Sequence, residues 1–289
     1  MPQAKAKIGV IGGSGLYEIA GMTDIEEMNI TTPFGKPSDT ITFGKLEGVG
    51  VAFLPRHGKG HRIMPTELPS RANIYALKSL GVEYIIAINS AGSFKKEIKP
   101  GHLLIPDQLI DRTRGRVNTF FGDGIVVHIP FADPFCPELS QVLYESAQGA
   151  GTTVHPRGTM VVMEGPAFST RAESQLYKAW GADIIGMTAL PEAKLAREAE
   201  ICYALIGCVT DYDSWWEPGE PVAVEMILET MRKNIDISKK IIRLAVSRIS
   251  GKRDCACART LETAIVTTPK LIPATTKQRL SLVIGKYLK

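Results

Sequence analysis

The stretch Thr210-Asp211-Tyr212-Asp213 places two carboxylates two residues apart, directly after an apolar run at 204–209. If that run is a strand, side chains two apart point the same way, so Asp211 and Asp213 face one ligand edge. Carboxylates in close company push one pKa upward, which suits a general acid near neutral pH. A divalent-metal site and a solvated acidic turn are the competing readings, and no third acidic ligand or histidine accompanies the pair in the sequence.

Four further places carry groups suited to an oxyanion. Gly12-Gly13-Ser14-Gly15 follows an apolar run at 7–11, where backbone amides and a hydroxyl can close around an anion. Arg56-His57-Gly58-Lys59-Gly60-His61 follows the run at 51–54; arginine offers a planar fork to phosphate and a neighbouring imidazole can add a donor. Asn89-Ser90-Ala91-Gly92-Ser93 ends a third run, and Met187-Thr188 follows a fourth at 184–186. One glycine-rich turn is weak evidence, but several strand ends of this type in one chain point to a single anionic ligand. The glycines do not form a dinucleotide fingerprint, because Glu18 stands where G-x-G-x-x-G needs its third glycine. No phosphate-binding G-x-x-x-x-G-K-[ST] loop and no G-x-S-x-G nucleophile elbow occurs, and His102 and His155 lie in strand-like contexts that suit structural roles.

Positioning these groups requires alternating strands and helices. Short apolar runs at 7–11, 51–54, 84–88, 161–163, 184–187 and 204–209 read as buried strands. Helical periodicity covers 69–80, 137–148, 171–180, 191–200 and 222–250; Gly81 and Gly181 stop two of these. The longest carries Ile227, Met231, Ile235, Ile242 and Val246 on one stripe. Segments 29–32 and 39–43 look like an inserted hairpin. The expectation is therefore a single α/β domain, a central mixed β-sheet flanked by helices, with no linker or repeat.

The bulk composition agrees. The chain has 289 residues, 44% hydrophobic and 22% charged, enough for one sizeable core. Its net charge is +4, from 34 basic and 30 acidic residues without a long like-charge run, so no nucleic-acid partner is expected. No apolar stretch reaches membrane-spanning length and residues 1–7 are no signal peptide, so a cytoplasmic location is expected. Five cysteines are too few and too scattered for a secreted disulfide scaffold. Cys255-Ala-Cys257 lacks a second close ligand pair in the sequence, so no metal and no cofactor is expected, and pairing with Cys136, Cys202 or Cys208 stays open.

Several motifs occur together in one order: Val10-Ile11-Gly12-Gly13-Ser14-Gly15-Leu16, Thr32-Pro33-Phe34-Gly35-Lys36-Pro37-Ser38, Arg56-His57-Gly58, Met64-Pro65, Ala72-Asn73-Ile74, Glu164-Gly165-Pro166-x-Phe168-Ser169 and Thr210-Asp211-Tyr212-Asp213. With them the chain resembles the trimeric purine nucleoside phosphorylase superfamily from about residue 7 to 250. The segment 251–289, read as a helical extension, matches less clearly; its Cys-Ala-Cys element is similar to that of disulfide-bearing thermophilic members.

The resemblance implies roles. Ser14, Arg56, His57, Ser90 and Thr188 would hold phosphate, with the Ala91 backbone beside them. Met187 would line the ribose, Phe168 would pack on the purine, and Tyr212 and His61 would border the substrate. Asp211 would face N7 and Asp213 a 6-amino group, making Asp211, Asp213 and His57 the catalytic set. Ser169 takes the place where 6-oxopurine members carry glutamate. Val224 and Ile227 would border the 5′ substituent, and His128 would come from a neighbouring subunit of a homotrimer or dimer of trimers. Ser14 and Ser90 stand where the animal enzyme has threonines and keep the hydroxyl.

The implied reaction is phosphorolysis of a 6-aminopurine nucleoside such as 5′-methylthioadenosine, with inorganic phosphate as co-substrate and no cofactor. A 6-oxopurine or methylthioinosine phosphorylase would carry Asn at the base edge. A nucleoside hydrolase would not need the phosphate-holding set, and a non-catalytic nucleoside binder would have lost part of it.

Overall fold

A computed structural model describes residues 5–13, 16, 19–216, 224–249 and 253–288, the side chains of 224–229 and 231 excepted. Its frame is a mixed sheet, ordered β2-β3-β4-β1-β5-β10-β9-β7 along its main path. The strands are β1 (Ile8–Gly12), β2 (Thr23–Met28), β3 (Ile41–Leu46), β4 (Val49–Pro55), β5 (Tyr84–Ser93), β6 (Leu103–Leu104), β7 (Gln108–Arg112), β8 (Val154–His155), β9 (Thr159–Met163), β10 (Ile184–Gly186) and β11 (Cys202–Asp211). β11 joins the path by pairing with β5, and β6 and β8 continue from it.

The apolar runs become the central strands because both sheet faces are covered. β1 lies parallel between β4 and β5, and every one of its residues is buried. β5 also pairs parallel with β11 from Tyr84↔Cys202 to Ala91↔Val209, and antiparallel with β10 through Ser93↔Ile184 and Gly92↔Ile185. Both strands outrun the apolar cores that foretold them, β5 reaching Ser93 and β11 reaching Asp211. Their polar ends are held by a neighbouring strand rather than by their own hydropathy.

The expected hairpin over 29–32 and 39–43 is displaced. β2 pairs antiparallel with β3 from Met28↔Ile41, and Thr32 instead bridges Gly35 around Pro33 and Phe34. β2 reads Thr-Asp-Ile-Glu-Glu-Met and is mostly exposed, so it carries no apolar alternation. It is an edge strand whose charges discourage further pairing. β3 returns into β4 through Glu47 and Gly48, both at positive φ, as a two-residue hairpin requires. β6, β7 and β8 were likewise not foreseen: two are only two residues long, and β7 ends in exposed Asp111 and Arg112.

The helices are α1 (Ser70–Ser79), α2 (Pro137–Gly149), α3 (Arg171–Ala179), α4 (Ala189–Glu198), α5 (Val224–Arg248), α6 (Ala274–Arg279) and α7 (Ser281–Ile284). α1 ends where Gly81 takes φ +91°, which costs any other residue a left-handed strain. α3 begins with a capping box, Thr170 Oγ1 accepting from the Glu173 amide. One face of the sheet is covered by Ile74 and Leu77 of α1, Ala193 and Leu195 of α4, and Leu261, Leu280 and Ile284 of the C-terminal segment. The other is covered by Leu139 and Leu143 of α2 and by Ile241, Ile242 and Val246 of α5. The C-terminal segment is thus part of the core. No helix among the described residues is long and apolar enough to cross a membrane.

Candidate active site

The end of β11 is bent by a bulge. Register jumps between Val209↔Ala91 and Asp211↔Gly92, leaving Thr210 as the extra residue. Its hydroxyl donates to Asp211 Oδ2 at 2.7 Å and reaches the Ala91 carbonyl at 3.3 Å. Asp211 and Asp213 converge on one spot of β5: a Cβ added to Gly92 would lie 3.0 Å from Asp211 Oδ1 and 3.2 Å from Asp213 Cβ. Both residues thus pack against the same glycine, and a side chain there would crowd the Asp211 carboxylate and the base of Asp213.

Burial raises both acids. Asp211 is pushed to about 6 by desolvation, with the Thr210 bond opposing and the Asp213 charge adding. Asp213 is raised by desolvation, while the hydroxyls of Ser174 and Ser169 pull it down. Asp213 Oδ2 is buried without a hydrogen-bond donor among the described residues. Around it Ser214 Oγ donates to the Ser169 carbonyl at 2.8 Å, and Trp215 Nε1 to the Ser93 carbonyl at 2.7 Å. Among the described residues no third His, Cys, Asp or Glu joins the two acids as a metal ligand. That removes the support for reading them as a metal site.

The groups expected to hold an anion lie further back along β5. Arg56 is 2% exposed, so its partners decide what it can do. Its Nε and Nη2 donate to Glu192 Oε1 and Oε2 at 2.6 and 3.1 Å, Nη1 to the Ile88 carbonyl at 2.9 Å, and Nη2 to Ile11 at 3.4 Å. A guanidinium has five N–H groups, so a single Nη1 hydrogen remains. The open fork expected for phosphate is corrected: it is closed on Glu192, which also accepts from Tyr203 Oη at 3.1 Å.

His57 is corrected in the same sense. Its Nδ1 lies 2.8 Å from the Ile63 carbonyl, an obligate acceptor, so Nδ1 carries the proton. Burial first and the Arg56 charge second lower its pKa to about 4, leaving the ring neutral and Nε2 an acceptor. His57 is therefore not the extra donor expected from the sequence. His61 stacks on it with centroids 4.2 Å apart.

Thr188 reaches the same strand from the opposite direction. Because β10 runs antiparallel to β5, its end returns to the middle of that strand, where Asn89 Nδ2 donates to Thr188 Oγ1 at 2.7 Å. Arg116 fixes the loop from behind by donating to the Met187 and Leu190 carbonyls at 2.6 and 2.7 Å and to Glu164 Oε1 at 3.1 Å. β5 is thus the common spine: Ile88 meets the Arg56 end and Gly92 the acidic end, about 13 Å apart along an extended chain.

The remaining expected residues divide. Ser90 is half-buried and Ala91 buried on β5, and Ser169 is buried beside Asp213. Phe168 is 46% exposed. His128 is exposed, with its amide donating to the Ala264 carbonyl. Tyr212, just past the end of β11, donates its hydroxyl to the Lys96 carbonyl at 3.1 Å and stacks its ring on Trp216. Ser14 lies outside the described residues, as do the side chains of Val224 and Ile227 on α5.

A separate cleft between the Pro65–Glu67 turn, Arg71, Arg116 and Pro191 contains none of the expected site residues. Glu192, Tyr203 and Arg116 were missed in the sequence, and Asn89 was named there only as part of its strand end, without its bond to Thr188. Glu192 alone carried a signal, a lone carboxylate on the otherwise buried apolar stretch Ala189, Leu190, Pro191, Ala193 and Leu195.

A mixed sheet gathers a buried ion pair, small hydroxyl residues and a raised carboxylate pair along one strand, which defines an α/β protein with its polar groups collected at strand ends. Residues 7–247 match the Phosphorylase superfamily, and the chain belongs to that family. It is 57% identical over 282 residues to the S-methyl-5′-thioadenosine phosphorylase of Geobacter sulfurreducens, covering 97% of this chain and 99% of that one. The crystal structure of a methylthioadenosine phosphorylase from an antarctic soil metagenomic library superposes with TM-score 0.93 at 47% identity, covering 97% and 99% of the two chains. The methylthioadenosine phosphorylase of Schistosoma mansoni in complex with adenine gives TM-score 0.80 at 38% identity, covering 97% and 98%.

Proposed function

We propose that this chain catalyses phosphorolysis of 5′-methylthioadenosine, giving adenine and 5-methylthioribose 1-phosphate in purine and methionine salvage. The observation that carries the reading is the buried acidic pair against Gly92, with Asp211 at about 6 and Asp213 Oδ2 buried without a donor. A 6-amino group supplies that donor, whereas a 6-oxo group would set acceptor against acceptor. The Geobacter, metagenomic and Schistosoma proteins carry the same activity in their names.

In this reading phosphate sits beneath the sugar, held by Ser14, Ser90, Thr188, the Ala91 backbone and the remaining Arg56 N–H. Because His57 Nε2 only accepts, it takes a hydrogen bond from the P–OH of monohydrogen phosphate. A phosphate oxygen attacks C1′ with inversion as the C1′–N9 bond breaks, and the bond pair leaves with the purine. Positive charge builds on the sugar between the phosphate and the departing base, where fixed dipoles stabilise it without reorganising. Asp211 gives its proton to N7. Overall the proton of HPO4²⁻ is replaced by the sugar and one proton is gained by adenine, so atoms and charge balance.

Met187 borders the ribose, Phe168 covers the purine, and His61 lines the entrance. Val224 and Ile227 would border the methylthio group, and Ser169 leaves the base edge without a further carboxylate beside Asp211 and Asp213. His128, exposed in the single chain, reaches the site of a neighbouring subunit in a homotrimer or a dimer of trimers in the cytoplasm. The test is incubation with methylthioadenosine with and without phosphate. Adenine and a sugar 1-phosphate must appear only when phosphate is present; release of free methylthioribose without phosphate refutes the mechanism, and equal or faster cleavage of inosine refutes the base assignment.

A further inference from the structure

Four of the five cysteines meet far from the acidic pair, at the start of β11. Cys202 is the first residue of that strand, and its amide donates to the Glu83 carbonyl. Cys136 is the N-cap of α2 and is tied to β11 by its own amide, which donates to the Tyr203 carbonyl. Cys255 and Cys257 come from the C-terminal segment, at and just inside a short 3₁₀ turn, Ala256–Arg259. All are free thiols, and their exposures are 0%, 0%, 8% and 4% in the order Cys136, Cys202, Cys255 and Cys257. Their four Sγ atoms all lie within 4.8 Å of one another, with Cys202 and Cys255 at 3.2 Å.

We propose that Cys136, Cys202, Cys255 and Cys257 form a structural site for a single zinc ion. A tetrahedral zinc with Zn–S bonds of about 2.3 Å sets its sulfurs about 3.8 Å apart, which matches four sulfurs all within 4.8 Å. Two disulfides would need only two close pairs, not four sulfurs converging on one point. An iron–sulfur cluster, in which the four cysteines are divided among two or four irons, would spread the sulfurs further. With four protein ligands and no exposed side, the site is closed, as structural zinc sites are.

The surroundings favour thiolates. Cys136 sits where the free amides and dipole of α2 favour a negative sulfur. The positive charge of Arg197 acts on Cys257. Arg253, two residues before Cys255, ties the same segment to the Glu83 and Glu200 carbonyls. On binding, four thiols release four protons and Zn²⁺ gains four S⁻ ligands, leaving a net charge of −2 beside these arginines. The C-terminal segment would thereby be clipped to β11 and α2, which secures Leu261, Leu280 and Ile284 in the core. No second ligand pair was visible beside Cys255-Ala-Cys257 because the fold draws it from α2 and β11.

The full chain, expressed in zinc-sufficient medium and purified without chelator or reductant, is assayed for metal by mass spectrometry and for thiols under denaturing conditions. About one zinc per chain with all five cysteines titrating as thiols is expected. The double variant Cys255→Ser/Cys257→Ser should retain less than about a tenth of that zinc, and Cys208→Ser, outside the cluster, all of it. Where the double variant does not fold, replacing metal with Co²⁺ in the full chain reads the same point: the intense visible and near-ultraviolet bands of tetrahedral cobalt thiolate are expected. Absence of zinc with only one free thiol would show two disulfides and overturn the proposal. So would iron in place of zinc, or five free thiols that take up neither zinc nor cobalt.

Discussion

Asp211→Asn separates the two things the carboxyl does. Asparagine keeps an oxygen to accept from Thr210 and an N–H to offer N7, but cannot release a proton. General acids of this kind contribute about 10²–10⁴-fold, so kcat/KM for methylthioadenosine should fall by that factor. In the parent, burial lifts Asp211 from 3.8 to about 6. At pH 7 about a tenth of the free protein then holds the proton, and activity in kcat/KM should decline as pH rises through about 6.

The same shift carries a stability consequence with a definite sign. A carboxyl whose folded pKa lies above its unfolded value makes the folded state bind more protons between the two, so stability falls as pH rises from about 3.8 to about 6. Two units at about 1.4 kcal/mol each give a penalty of roughly 3 kcal/mol at neutral pH. Asp211→Asn removes that penalty, so it should be more stable than the parent at pH 7.5 and no more stable at pH 4. Steady-state kinetics across pH 5–9 and denaturation at the two pH values measure both effects. If the variant keeps more than half the activity at pH 7.5, or its stability difference does not depend on pH, the assignment of Asp211 as a buried acid is wrong.

The other substitutions read different parts of the site. Asp213→Asn should lower the preference for 6-amino over 6-oxo nucleosides, measured as a ratio of kcat/KM values; an unchanged ratio means that carboxylate does not read the base. Glu192→Ala leaves Arg56 charged and unpaired in the interior and should cost about 3–5 kcal/mol by denaturant titration. A loss under 1 kcal/mol would show that the pair is not held as described. With His57 neutral down to about 4, the KM for phosphate should show no histidine-like inflection between pH 5 and 7, and an inflection near 6.5 that vanishes in His57→Gln would contradict the tautomer. Gly92→Ala crowds Asp211 Oδ1 at 3.0 Å and should lower kcat/KM at least about tenfold with only a small change in melting temperature.

The acids two apart at a strand end, the small hydroxyl residues at other strand ends and the apolar runs that became β1, β4, β5 and β11 were legible because each depends on local chain geometry. The edge strands were not. Their residues, such as Asp24, Glu26 and Glu27 of β2, are held by a neighbour rather than by their own hydropathy. Nor could a linear pattern show that Arg56 spends its fork on Glu192, 136 residues away, or that Ile63 sets the tautomer of His57. Both depend on which carbonyl or carboxylate the packed chain brings within hydrogen-bond reach. The same holds for Cys136 and Cys202 beside Cys255 and Cys257. The residue types carried the chemistry, but protonation, free donors and the meeting of the four sulfurs were decided by long-range packing, because burial and partner identity set the energy of every charge.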